Sequence, residues 1–192
     1  LLTHTSGIKD FTSMKSIKNI AREDLSPKEL VDFFKNEPMD FKPGEQYKYC
    51  NSGYVILGYI IEKVSGQSYE EFISQHIFQK AGMQNTSYAS HDKIVKNRVS
   101  GYRGKGNYVN TNYISFSIPY ASGSIMSNVD DMLKWQYAIS NHKLLSASFT
   151  EKAFINYSLN NGQQIDYGYG WHIEKIKDKL VHDHGGSIFG FK

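Results

Sequence analysis

The sequence predicts an α+β chain, helical over about residues 1–160 and running into the beginning of a sheet over about residues 165–192. Three observations predict this class. Two capping boxes, Ser26-Pro27-Lys28-Glu29 and Ser68-Tyr69-Glu70-Glu71, each stand before an apolar run. In such a box the serine hydroxyl and the glutamate three residues on satisfy N–H groups that a helix start leaves free. Between them, Ser52 to Val64 is apolar nearly all round, which is too long for an ordinary strand and fits a helix buried on most sides. The last part changes period: Tyr167-Gly168-Tyr169-Gly170-Trp171-His172-Ile173 alternates aromatic with small residues, as a strand does.

Length and composition bound the rest. A chain of 192 residues fits one domain or a large piece of one. Hydrophobic content of 40% with 21% charged residues is that of an ordinary globular protein. The net charge of +3 is small and dispersed, which argues against nucleic acid or an anionic membrane as partner. No apolar run is long enough for a membrane span, which needs roughly 18 residues. A single cysteine, Cys50, excludes an intrachain disulfide and leaves the redox compartment open. The chain begins Leu1-Leu2 without Met and reads as the middle of a longer protein, so the lack of a signal peptide says nothing about its parent.

Taken in order, residues 1–8 form a short apolar-to-turn segment ended by Ser6-Gly7. Residues 9–24 are polar, with Phe11, Met14, Ile17 and Ile20 as anchors, and read as a loop with a helical turn or two. The first box starts a helix with Pro27 at its first position, carrying Leu30, Val31, Phe33 and Phe34, that stops before Pro38. A Pro43-Gly44 turn leads to Tyr47-Lys48-Tyr49-Cys50, and Asn51 or Ser52 opens the long apolar helix, which Ser65-Gly66 closes. The second box gives a helix with Phe72, Ile73, Ile77 and Phe78 on its apolar face, and Ala81-Gly82-Met83 is its tight exit. Residues 85–120 have little helical period, and Gly104-Lys105-Gly106 reads as a hairpin tip, since no P-loop Lys-Ser context follows. Ser127 or Asn128 caps a helix with Met132, Leu133, Trp135, Tyr137 and Ile139 on its apolar side, and Ser148 caps a short one. Leu180–His184 and Ser187–Phe191 read as further strand pieces.

Tyr49 and Asn51 stand two residues apart just before a rigid helix, so in an extended segment they project the same way. A phenol there can relay a proton and a carboxamide can hold a polar substrate group; the plain alternative is a buried tyrosine with an asparagine cap. The same alternation turns Cys50 away from both, as a packing thiol rather than a nucleophile. His182 and His184 share a face with His172 nearby, but no acidic or Cys ligands cluster at metal spacing, and no metal or other cofactor is expected. Gly185-Gly186 has a hairpin turn as its plain reading. His4 reads as a structural, hydrogen-bonding histidine.

Four stretches in order carry a family resemblance: Leu1-Leu2-Thr3-His4-Thr5-Ser6-Gly7, Tyr49-Cys50-Asn51, Ala121-Ser122-Gly123-Ser124-Ile125-Met126-Ser127 through Asp131-Met132, and His184-Gly185-Gly186. They resemble the "LLTHTSG", Tyr-x-Asn, "AAGGLxSTAxDL" and His-x-Gly motifs of the serine β-lactamase and penicillin-binding-protein superfamily, in its class C β-lactamase, D-aminopeptidase and esterase branch. The resemblance covers essentially the whole chain. It implies a β-lactamase/transpeptidase-like α+β fold, an antiparallel sheet flanked by helices, of which these 192 residues are a single partial domain comprising the helical subdomain and one edge of the sheet. It implies a serine hydrolase acting through an acyl-enzyme on a small-molecule or peptide substrate that carries an amide, ester or β-lactam carbonyl.

The resemblance also implies roles. Tyr49 is the proton relay, with its pKa lowered by neighbouring cations. Asn51 holds the substrate amide. His184 stands where other branches carry the Lys of Lys-Thr-Gly, bounding the cleft and able to bind a carboxylate when protonated. Gly185 and Gly186 leave room along the strand, and the Ser187 N–H forms half of the oxyanion hole. The family's nucleophile lies in Ser-x-x-Lys upstream of the "LLTHTSG" segment, so no nucleophile is expected here and the chain as given is expected to be inactive and marginally stable. Ser6-Gly7-Ile8-Lys9 fits Ser-x-x-Lys literally and Thr12-Ser13-Met14-Lys15 nearly does, but neither stretch is apolar enough to bury a lysine beside a serine. The implied location is the bacterial cell envelope, periplasmic or secreted. The rival readings are a catalytically dead module that binds cell-wall peptides and a structural domain without ligand.

Overall fold

The computed structural model describes all residues, 1–192. After a 3-10 turn at Phe11–Ser13 come helices α1 (Ile17–Ile20), α2 (Pro27–Phe34), α3 (Asn51–Ser65) and α4 (Tyr69–Ile73). Helix α4 runs through a π-helical stretch, Ser74–Phe78, into α5 (Gln79–Ala81). Short strands β1 (Ser87–Tyr88), β2 (Tyr102–Arg103), β3 (Val109–Asn110) and β4 (Ile125–Met126) follow, then α6 (Val129–Ser140) and α7 (Ala147–Ala153). The chain closes on β5 (His172–Ile176) and β6 (Lys179–Asp183). The strands form three antiparallel pairs, β1 with β4, β2 with β3 and β5 with β6.

Both capping boxes form as the sequence predicts. The Ser26 N–H donates to Glu29 Oε2 at 2.8 Å while Ser26 Oγ accepts from the Glu29 N–H, and Ser68 with Glu71 repeats the pattern. Pro27 occupies the first turn of α2. Gly66 ends α3 and Gly82 ends α5, both in the left-handed conformation that favours glycine. The main core gathers Phe11, Leu30, Phe34, Val55, Ile114, Ile118 and Tyr120, so it joins the polar 9–24 stretch, α2, α3 and the loop before β4. Fully burying a side chain such as Leu30 or Val55 contributes roughly 1.5–3 kcal/mol. Gly58 lets α3 close on the 3-10 turn at Tyr120–Ser122: a Cβ there would stand 2.3 Å from the Ala121 Cβ. Gly7, at positive φ, allows the first loop to pass the Phe41 carbonyl, which a Cβ would meet at 1.9 Å, so only glycine serves there.

Several elements depart from the sequence reading. Helix α3 is buried or half-buried all round through Tyr59, with Ser52, Gly53, Val55 and Gly58 facing fully inward, and opens to solvent at Ile60 and in its last turn, where Val64 is 83% exposed. The Ser68 helix keeps its apolar face, Phe72, Ile73, Ile77 and Phe78, about Met83, but continues past Ile73 as a π-helical turn that the sequence pattern does not show. Helix α6, capped by Asn128, turns Met132, Leu133 and Tyr137 outward and buries Asp131 and Ala138. Asp131 wins the inward position because it accepts the Asn85 N–H at 2.6 Å, the Thr86 hydroxyl at 2.9 Å and the Lys134 ammonium at 2.7 Å. The N-cap of α7 is Ser146, not Ser148.

The aromatic alternation from Tyr167 is not a strand but a tight lead into one. Gly168 lies so near the Ala153 carbonyl that a Cβ would stand 2.2 Å from it, and β5 starts only at His172. The β5–β6 hairpin closes through Lys177 and Asp178, both at positive φ. That is the conformation of a tight hairpin turn, here made without the usual glycine. Ser187–Phe191 is a turn, with Ile188 bridging Phe191. Strand β6 stops just before His184, because its only partner, β5, begins opposite Asp183.

Candidate functional site

The N-terminus of α3 is pinned from outside the helix. Its N-cap, Cys50, makes no side-chain cap bond; instead the Asp10 carboxylate accepts the Asn51 N–H at 3.0 Å. Ser52 Oγ accepts the Phe11 N–H at 2.8 Å and donates to the Lys9 carbonyl at 2.7 Å. A carboxylate is favourably placed at a helix N-terminus, where unpaired N–H groups carry partial positive charge. Cys50 has an extended backbone and sends its thiol inward, donating to the Ile8 carbonyl at 3.3 Å. Alternation along that extended segment sends Tyr49 and Asn51 the other way. Burial pushes the Cys50 thiol pKa up, which suits a packing thiol rather than a nucleophile.

Tyr49 and His184 meet, with ring centroids 5.8 Å apart, although they lie far apart in sequence. Tyr49 is 41% exposed and its hydroxyl makes no hydrogen bond within the chain. Its pKa is raised, first by partial burial and then by Asp10 and Cys50. Within these 192 residues no cation acts on the phenol; the charges that do are those of Asp10 and Cys50. Asn51 stands at the same helix end with its Nδ2 donating to the Thr12 hydroxyl at 3.3 Å. The structure thus brings Tyr49 to His184 and sets Asn51 beside Tyr49 on the shared backbone, but shows no contact between Asn51 and His184.

His184 is not free to take a carboxylate in this arrangement. Its Nδ1 donates to the Gly185 carbonyl at 2.7 Å and its Nε2 lies 2.9 Å from the Tyr167 hydroxyl. Gly185 and Gly186 do not form a hairpin turn. Neither has a positive φ, and a Cβ on either would meet nothing within 4 Å, so no packing demand explains the two glycines. Ser187 is exposed and its N–H makes no hydrogen bond within the chain, leaving a free donor beyond them.

Two residues behind this wall carry no role in the sequence reading beyond structure. His4 is 1% exposed; its Nδ1 accepts the Cys50 N–H at 3.1 Å and its Nε2 lies 3.1 Å from the Tyr167 hydroxyl. Burial, with His184 and His172 close by, lowers its pKa to about 4, so the ring is neutral at pH 7. Tyr167, 1% exposed, touches His4, His172, His184 and Tyr47. Nothing local flags Tyr167, since it lies 163 residues from His4. The one available signal is its place directly before Gly168, where the chain passes too close to Ala153 for any side chain. Neither the literal Ser-x-x-Lys nor the near match works as one: Ser6 Oγ accepts the Ile8 N–H at 3.4 Å while Lys9 binds Asp40, and Thr12, which takes the serine's place in the second, donates its hydroxyl to the Asp10 carboxylate. Two concavities, of about 490 and 520 Å³, are lined by other residues, the second around Tyr47, Asp166, Tyr167 and His172. Tyr49, Asn51 and His184 form an open wall instead.

Comparison with known proteins gives this wall a context. Residues 1–191 match the family described as Beta-lactamase. A penicillin-binding protein from Bacillus subtilis is 32% identical over 208 residues, covering 100% of this chain and 46% of the relative. A D-aminopeptidase from Brucella anthropi is 26% identical, covering 100% of this chain and 37% of the relative. The crystal structure of a D-amino acid amidase from Ochrobactrum anthropi, complexed with L-phenylalanine amide, superimposes with a TM-score of 0.81 at 25% identity, over 98% of this chain and 57% of that one. The chain therefore spans less than half the length of these curated relatives.

Proposed function

The chain belongs to the Beta-lactamase family, with the α+β fold of β-lactamases and penicillin-binding proteins, and from that premise we propose that it forms one wall of a serine hydrolase cleft. The reaction is acyl transfer from an amide, ester or β-lactam carbonyl to a serine and then to water. Tyr49 is the proton relay between that serine and the leaving group. Its phenol is accessible and unpaired, so it can take the serine's proton as the acyl bond forms and pass it to the leaving group as that group departs. Asn51 offers a carboxamide to the substrate from the same face. The Ser187 N–H is half of the oxyanion hole, and Gly185 and Gly186 leave the approach to it open.

The observation that carries this reading is the meeting of Tyr49 with His184, brought together from two separate elements of the fold. The serine that is acylated is not Ser6, and it comes from residues outside these 192; the chain as given is inactive. The domain is accordingly partial. An amide of a D-amino acid or its peptide is the leading substrate, supported by the D-aminopeptidase and D-amino acid amidase relatives. The bacterial envelope, periplasmic or secreted, is the proposed location, supported by the Bacillus relative. The proposed partner is a small-molecule or peptide substrate; no helix of the chain is long and apolar enough to cross a membrane.

In a version of this protein extended upstream to include a Ser-x-x-Lys helix, Tyr49→Phe is expected to lower kcat by roughly 10²–10⁴-fold, the usual share of a positioned proton carrier, with KM little changed. The assay is hydrolysis of a D-amino acid amide, a small ester and a β-lactam. Full activity of Tyr49→Phe on all three would remove Tyr49 from the chemistry.

A further inference from the structure

We propose that Tyr167 is a positioning residue, whose hydroxyl, oriented by His4, holds His184 as the neutral Nδ1–H tautomer with both ring nitrogens occupied. The argument follows hydrogen-bond direction from one fixed end. A backbone N–H can only donate, so His4 Nδ1, 3.1 Å from the Cys50 N–H, is the acceptor. A neutral imidazole that accepts at Nδ1 carries its proton on Nε2. His4 Nε2–H therefore donates to the Tyr167 oxygen at 3.1 Å. At the other end, a carbonyl can only accept, so His184 Nδ1, 2.7 Å from the Gly185 oxygen, is the donor. With His184 neutral, as the proposal has it, its lone pair is on Nε2, and the Tyr167 hydroxyl, 2.9 Å away, donates to it. The His4 end is compatible: it fills a lone pair of the Tyr167 oxygen and leaves the hydroxyl hydrogen for His184. The result is one directed chain, Cys50 N–H to His4, His4 to Tyr167, Tyr167 to His184, and His184 to the Gly185 carbonyl.

The chain ties together three stretches, residues 4, 49–51 and 184–185, through one buried oxygen. His4 binds the peptide between Tyr49 and Asn51, and His184 packs against the Tyr49 ring. Tyr167 thus fixes the spacing between the two cleft walls as well as the tautomer. The arrangement has a consequence for specificity. Next to Tyr49 the cleft presents an uncharged ring with no spare donor, and Lys9 and Lys48 are committed to Asp40. The part of the substrate that lies against His184 is therefore uncharged, an amide or ester group rather than a carboxylate. That consequence rests on the cleft reading above; the hydrogen-bond direction does not.

The test is the histidine tautomers, read from long-range proton–nitrogen correlation spectra of the nitrogen-15-labelled 192-residue chain at pH 8. His4 and His184 are assigned by the signals lost in His4→Asn and His184→Gln. The expected result is opposite tautomers, His4 protonated on Nε2 and His184 on Nδ1. In Tyr167→Phe, which keeps the ring and removes one oxygen, His4 keeps its tautomer and His184 shifts toward the Nε2–H form. Finding His184 as the Nε2–H form in the unsubstituted chain overturns the proposal without any variant. An unchanged His184 in a folded Tyr167→Phe overturns it too, and reduces Tyr167 to packing. Neither outcome depends on hydrolysis, so the positioning role and the hydrolase reading fail separately.

Discussion

At the scale of single residues, the buried imidazole of His4 makes the clearest demand on conditions. Its pKa falls from 6.5 to about 4 on folding, chiefly through burial, so the unfolded chain binds the proton that the folded chain refuses. Stability from this residue is complete above pH 6.5, is lost progressively as pH drops from there to about 4, and changes no further below. The full loss is about 3 kcal/mol. Urea unfolding midpoints measured from pH 8 to pH 4 should show this fall, and His4→Asn should flatten it. Asparagine keeps an acceptor for the Cys50 N–H but cannot titrate, and it costs about 1–3 kcal/mol at pH 8 through the lost bond to Tyr167. An unchanged pH profile in His4→Asn would show that other groups carry the acid sensitivity. The site is legible in sequence where period decides direction: Tyr49, Cys50 and Asn51 point as a two-residue repeat requires. It is not legible where three-dimensional neighbours decide. The pKa of Tyr49 depends on what stands beside it, and here that is partial burial, Asp10 and Cys50.

At the scale of elements, local chemistry sets the helix ends and tertiary packing chooses their faces. Ser26, Ser68, Asn128, Gly66 and Gly82 all act where the sequence places them, because caps are satisfied within a turn of chain. Helix α6 turns Met132, Leu133 and Tyr137 out because the Asp131 network holds the inward face, which it shares with Ala138 and the half-buried Trp135, and a π-helical turn follows α4. Near the end of the chain, aromatic–glycine alternation overstates the strand, because it serves a turn as readily. Gly58 offers a test of helix packing against helix propensity. Alanine is the better helix former by about 1 kcal/mol, so an unpacked α3 would gain from Gly58→Ala. Here the new methyl would stand 2.3 Å from the Ala121 Cβ and 2.8 Å from the Tyr120 ring. The expected outcome is a net loss of about 1–3 kcal/mol in urea unfolding, the usual cost of overpacking. A gain would mean that α3 does not close on the Tyr120–Ser122 turn.

At the scale of the whole molecule, the proposed reading makes the chain a cleft wall with its supports. Only 34 of 192 residues are buried, and large apolar side chains such as Val64, Val129, Leu133 and Phe149 stand mostly exposed. In the proposed hydrolase, the further part of a longer family domain covers some of that surface and extends the sheet beyond the two-stranded pairs present here. The central claim is that these residues supply the proton relay and substrate wall while another segment supplies the nucleophile. Its most direct measurement is intact mass after exposure to a serine-reactive acylating probe, for the 192-residue chain beside a version extended upstream in its own reading frame. The account predicts one added acyl group on the extended protein alone, on the serine of Ser-x-x-Lys. Labelling of the short chain, as at Ser6, or no labelling of either protein, would contradict it, the second outcome favouring a module that binds without turnover.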